Sequence, residues 1–145
     1  MSRAISGMSR ALFDSDLIAT RLALFIAEAL WALMLFWPGD TFERPTYSAM
    51  GVVAPELVWA CAFGISAVLQ ISIVVYRQCS RPWAHLFAAW NASLWLSVVV
   101  LMVASVYPPP AAIGGEIALT VSAVWIAVRP LFFLNWERRY AAMQR

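Results

Sequence analysis

Five residues capable of polar or acid–base chemistry stand inside otherwise apolar sequence: Arg21, Glu28, Gln70, Asn91 and Arg129. Glu28 sets the problem, because residues 17–37 form a run long enough to cross a bilayer and carry it near their middle. A hydrocarbon core about 30 Å thick takes about 20 helical residues at 1.5 Å of rise each, which puts Glu28 close to the midplane. An ionised side chain there costs at least about 2.5 to 3.5 kcal/mol unless it is protonated, paired or wetted. Such a carboxyl offers two kinds of chemistry: a buried ion pair with an arginine, or binding and release of a proton or cation. Arg21 lies seven residues earlier on the same face, and helical side chains lean toward the N-terminus, so Glu28 is expected to tip toward it. Arg129 is the other expected partner.

Counted from the helix ends, Arg21, Gln70 and Arg129 fall about 6 to 9 Å inside one boundary, and Asn91 and Glu28 about 12 to 17 Å inside it. The five are expected to form one intramembrane polar layer. Three readings of it stay open: a structural ion pair with Asn91 and Gln70 as interhelical hydrogen bonders, a titrating Glu28 that couples a proton or cation to transport, or snorkelling of the arginines. Glu56 and Glu116 open the second and fourth runs on the opposite side as outer acidic residues, Glu116 near enough to the surface to reach water. Glu56, Trp59, Phe63, Ser66, Gln70 and Arg77 share one face, which is expected to pack or to border water or a neighbouring subunit.

Classical enzyme signatures are missing. His85 is the one histidine, and there is no Cys-x-x-Cys, Gly-rich phosphate loop or G-x-S-x-G. No catalytic, cofactor or metal site is therefore expected, and the chain is read as a non-enzyme. Cys61 and Cys79 would lie about 27 Å apart on a continuous helix, far beyond the roughly 7 Å limit for a disulfide.

The elements that must hold these residues follow from composition. The chain has 145 residues, 63% hydrophobic and 12% charged, with a mean hydropathy of +0.75. Soluble domains run near 45 to 50% apolar and about 25% charged, so this is membrane composition. A net charge of +2, with no dense basic patch, excludes nucleic acid as a partner. All ten basic residues are arginines, which fits the codon bias of a GC-rich bacterial or phage genome.

Four apolar runs, at about residues 17–37, 52–76, 83–107 and 111–136, are separated by PGDTFERPTYSAMG, RQCSRP and PPP. Proline and charge at those places stop helices. The expected fold is all-α: a polytopic four-transmembrane-helix up-and-down bundle over residues 17–136. Residues 1–16 are expected to form a cytoplasmic or interfacial segment that ends in N-caps at Asp14, Ser15 and Asp16, and residues 137–145 a basic tail. Arg3, Arg10, Arg77, Arg81, Arg138, Arg139 and Arg145 all fall on one side of this layout, so the positive-inside rule places both termini in the cytoplasm of a bacterial inner membrane.

Small residues recur at four-residue spacing: Ala19, Ala23 and Ala27; Ala60 and Gly64; Ala89, Ser93 and Ser97; Gly114, Ala118 and Ser122. Such stripes let backbones approach in lipid and are expected to face inward. Pro130 is expected to kink the fourth span beside Arg129. An internal hairpin repeat is also suggested by Glu28-Ala29-Leu30-Trp31 against Asn91-Ala92-Ser93-Leu94-Trp95.

The stretch Ile26-Ala27-Glu28-Ala29 resembles the first helix of the small multidrug resistance transporters, which implies a proton- and cation-binding role for Glu28 alone. FWPGDTFERPTYSAM, residues 36–50, and the tail WERRYAAMQR resemble the short arginine- and tryptophan-rich membrane proteins of tailed phages, some of them holin-like. That resemblance implies a protein that oligomerises until the membrane opens, with the lipid bilayer and further copies as partners. A coupled transporter and a structural subunit of a membrane complex are the alternatives.

Overall fold

The computed structural model describes the backbone of residues 2–37, 39, 41–76, 82–108, 110–111 and 113–143, and the side chains of residues 17–37, 39, 41–76, 83–108, 110–111 and 113–129. Among them there is helix and no strand. The elements are α1 (Ser2–Phe36), two single 3₁₀ turns (Thr41–Glu43 and Pro45–Tyr47), α2 (Ser48–Val53), α3 (Glu56–Val75), α4 (Pro82–Ser105) and α5 (Ile113–Met143). Among the described residues, three stretches are long and apolar enough to cross a membrane: Leu17–Phe36, Glu56–Val75 and Trp83–Ser105. The chain is a helical membrane protein, as its composition requires, because in lipid every backbone N–H and C=O must be satisfied within its own segment.

Three expectations about the helices are corrected. First, α1 does not stop at Asp14–Asp16; it runs unbroken from Ser2 to Phe36, so no separate interfacial helix precedes the first span. Second, the second span begins at Glu56 rather than Val52, because Pro55 ends the short α2 and starts α3. Third, α5 does not end near residue 136 but continues to Met143.

Helix α1 packs along α3, and α4 along α5, with much lighter contact between the two pairs. The seam between the pairs is filled by large side chains. Among the described residues of α1, Leu17, Arg21, Leu24, Glu28, Trp31 and Leu35 are buried in a four-three alternation, with Ala32 beside them, which keeps one face turned inward. The small-residue stripes mostly face the other way: Ala19, Ala23, Ala89, Ser93, Ser97, Gly114 and Ala118 are exposed, and Ser122 is half-buried. Only in α3 does the expectation hold, where Ala60 is buried and a Cβ built on Gly64 would lie 3.9 Å from the Ala32 Cβ. A helix side holding tryptophan, phenylalanine and arginine gains far more dispersion contact by being buried than one holding alanine and serine.

The segment between α1 and α3 is a folded cap rather than a loose loop. Phe42 N donates to Glu56 Oε1 at 2.6 Å, Trp59 Nε1 to the Met50 carbonyl at 3.2 Å, and Ala49 N to Ser105 Oγ at 3.0 Å. The last of these ties the cap to α4, so the two pairs are clamped together at this end. Gly51 permits the closure, because a Cβ there would meet the Phe42 Cβ at 3.3 Å.

Candidate functional site

Arg21 and Gln70 meet first. The guanidinium donates through Nη1 to Gln70 Oε1 at 2.8 Å and through Nη2 to the Ala84 carbonyl at 3.2 Å. One residue of α1 thereby bridges α3 and α4, and all three partners are fully buried. Helix α1 is long enough on this side to place Arg21 two turns, about 10 Å, from Glu28.

Glu28 lies deeper along the seam and is fully buried. Its Oε1 accepts a hydrogen bond from Trp95 Nε1 at 3.4 Å, while Oε2 has no hydrogen-bond partner. Asn91, one turn before Trp95 on α4, is fully buried with its amide against the same carboxyl, in a contact too loose to complete a full hydrogen bond through either Oδ1 or Nδ2. Ser66 lies level with this group. On the antiparallel α1–α3 pair, Arg21 meets Gln70 below and Trp31 packs on Phe63 above, at 5.4 Å between ring centroids. Glu28 falls between the two on α1, and Ser66 between the two on α3. Ser66 Oγ is buried without a partner. Other serines in these helices, Ser72, Ser93, Ser97, Ser105 and Ser122, return their hydroxyls to the carbonyl four residues back, at 2.7 to 3.0 Å.

An aromatic layer closes the seam toward the cap. Trp95 stands edge-on to Trp31 at 6.0 Å and packs on Phe63 at 5.1 Å, and Trp31 is edge-on to Tyr47 of the cap at 5.8 Å. Rings at these separations and angles stabilise one another by about 0.5 to 1.5 kcal/mol per pair beyond simple contact. Burial, and then the Glu116 carboxylate beside it, push the Tyr47 hydroxyl above its usual range, with Arg44 opposing them.

The five residues of the expected layer are thus all buried, but they do not form one cluster. Arg21 and Gln70 meet in one place, Glu28 and Asn91 in another. Arg129 lies on α5 with its guanidinium 5.8 Å from the centre of the Trp125 ring. The hydrogen bond to Glu28 comes from a tryptophan, and Arg21 acts on the carboxyl through its charge from two turns away. The face of α3 from Trp59 to Gln70 is a packing face, and Arg77 lies outside the described residues. Glu56 accepts from the cap backbone. Glu116 is 9% exposed and its charge reaches Tyr47 of the cap.

Trp95, the Ala84 carbonyl and the orientation of Ser66 had no separate signal in the sequence. The internal similarity came nearest to one. With one inserted residue it sets Glu28 against Asn91 and Trp31 against Trp95, and all four are buried. Comparison with protein-family models, with curated proteins and with solved structures finds no match for the chain. Its function has to be argued from the site.

Proposed function

We propose that this is a small four-span carrier that moves a proton or a small cation across a bacterial inner membrane, with Glu28 as the coupling residue and both termini in the cytoplasm. One observation carries the reading: the polar centre straddles the seam between two helix pairs, with Glu28 and Ser66 on one side and Asn91 and Trp95 on the other. Groups whose polar atoms are divided across a lightly packed seam change their surroundings when one pair rocks against the other, which is the motion alternating access needs. Sealing by the aromatic layer and the cap on one side, and by the Arg21–Gln70–Ala84 bridge on the other, suits an occluded carrier. A positive Arg21 beside the pathway also opposes a continuous file of cations. Helix α5 is included as the fourth span because it lies along α4 and continues for 31 residues.

A holin-like role is the second reading, and the exposed small-residue face of Ala89, Ser93 and Ser97 favours it. Helices of further copies can approach such a face closely. Against it, Arg21, Glu28, Gln70, Asn91 and Arg129 are buried in the bundle, so these charged and amide groups do not line a hole between copies. Timed induction in a bacterium carrying a potential-sensitive dye separates the two. A carrier leaves the membrane potential standing while the protein accumulates, as verified by blotting; abrupt depolarisation with growth arrest overturns the carrier reading in favour of the holin.

A further inference from the structure

We infer that Glu28, Ser66 and Asn91 form an oxygen-lined site for one small monovalent cation of the sodium class, an assignment that rests on the carrier reading only for its place in a transport cycle. The side chains come from α1, α3 and α4 and are each fully buried. Three oxygens among them, Glu28 Oε2, Ser66 Oγ and Asn91 Oδ1, have no hydrogen-bond partner. Buried polar atoms are nearly always satisfied, so a group of such atoms at one depth marks a place where something else completes them.

The chemistry of the donors selects the ligand. A carboxylate, a hydroxyl and an amide oxygen are hard oxygen ligands, the set that alkali and alkaline-earth ions take, and there is no sulfur or imidazole in the group to favour a softer metal. The site supplies one negative charge. A monovalent ion is neutralised by it, whereas a divalent ion would leave an uncompensated charge in the bilayer core. Trp95 holds Oε1 by its indole N–H, which turns the other carboxylate oxygen away from the aromatic layer and fixes it for a ligand. Ser66 supports the same reading, since its hydroxyl has given up the backbone bond that other serines in these helices make. Arg21 is bridged to Gln70 and Ala84 two turns away, outside any shell around the ion.

The test is thermal unfolding of the purified full-length protein in detergent, titrated with sodium, potassium or choline chloride at constant ionic strength. A ligand that binds only the folded state raises stability with the logarithm of its concentration above Kd. Sodium should raise the unfolding temperature in this way, with potassium far weaker and choline without effect. Ser66→Ala and Asn91→Ala should each weaken the sodium midpoint by about tenfold, the factor for losing roughly 1.4 kcal/mol of ligation, and Glu28→Gln should abolish the response. Radiolabelled sodium bound to the unaltered protein, displaced by unlabelled sodium and not by choline, gives a readout that needs no variant. Equal responses to all three salts, no bound label, or a sodium response that survives Glu28→Gln would overturn the site. Flux separates this inference from the carrier reading: proton-driven transport without a sodium effect removes the sodium site and leaves the carrier, whereas sodium binding without transport removes the carrier and leaves the site.

Discussion

Replacing Trp95 with phenylalanine tests how Glu28 is held. Trp95 is fully buried, donates to Glu28 Oε1 at 3.4 Å and touches both Trp31 and Phe63. A hydrogen bond to a charged group is worth about 1.5 to 3 kcal/mol, and the length of this one puts it at the lower end. The smaller ring leaves a void that costs about 1 kcal/mol at roughly 24 cal/mol per Å³. Trp95→Phe should therefore lose about 2.5 kcal/mol in reversible unfolding from mixed micelles, followed by far-ultraviolet circular dichroism. The void term is shared by every background, so a double-mutant cycle with Glu28→Ala isolates the hydrogen bond as a coupling of about 1.5 kcal/mol. The matching cycle between Glu28→Ala and Arg129→Ala should be additive within about 0.5 kcal/mol. Coupling to Arg129 and none to Trp95 would refute the assignment and restore an arginine pair.

Ser105→Ala leaves the partly buried Ala49 N–H without its acceptor, so the cap should open more readily, seen as faster proteolytic cleavage between residues 41 and 53 and a loss of about 1 to 3 kcal/mol. Gly51→Ala pushes against Phe42, where the new Cβ would lie at 3.3 Å, and should cost about 1 kcal/mol or more by overpacking. Tyr47 titrates above its ordinary value of 10.0 in the folded chain, so its contribution is complete below that pH and lost as pH rises through the folded value. Tyr47→Phe should flatten this alkaline decline in melting temperature, and an unchanged decline would show that another group causes it. For topology, a reporter active only outside the cytoplasm should give signal when fused after Pro45 or Pro109 and none after Ser80 or Arg145; signal at Arg145 contradicts four spans with both termini inside.

The all-helical, membrane-spanning character of the chain and the burial of the five polar residues were legible because each follows from a large energy. Proline and clustered charge punctuate the apolar runs, and a charged or amide group in a span is forced inward by its cost in lipid. Partner choice was not legible. Trp95 reads as one of eight tryptophans, and nothing in its spacing says that its indole N–H meets a carboxylate from another pair. The direction of the small-residue stripes was misread for a related reason: periodicity gives the sides of a helix but not which side is buried, and in α1 the side with Trp31 and Leu24 won over the side with Ala19 and Ala23. Asp14–Asp16 are good caps only where the chain leaves the helix, and α1 does not leave it there. The folded cap depends on contacts far apart in sequence, such as Ala49 with Ser105.

The central claim is that Glu28, at the seam between the helix pairs, couples ion movement across the membrane. Its most direct test is dissipation of an imposed proton or sodium gradient in liposomes containing the purified protein, wild type beside Glu28→Gln, a substitution that keeps the shape and removes the exchangeable charge. Saturable, protein-dependent flux that is lost in Glu28→Gln at equal incorporation is the predicted result. Equal flux in the two proteins, or none in the wild type under either gradient, would contradict it.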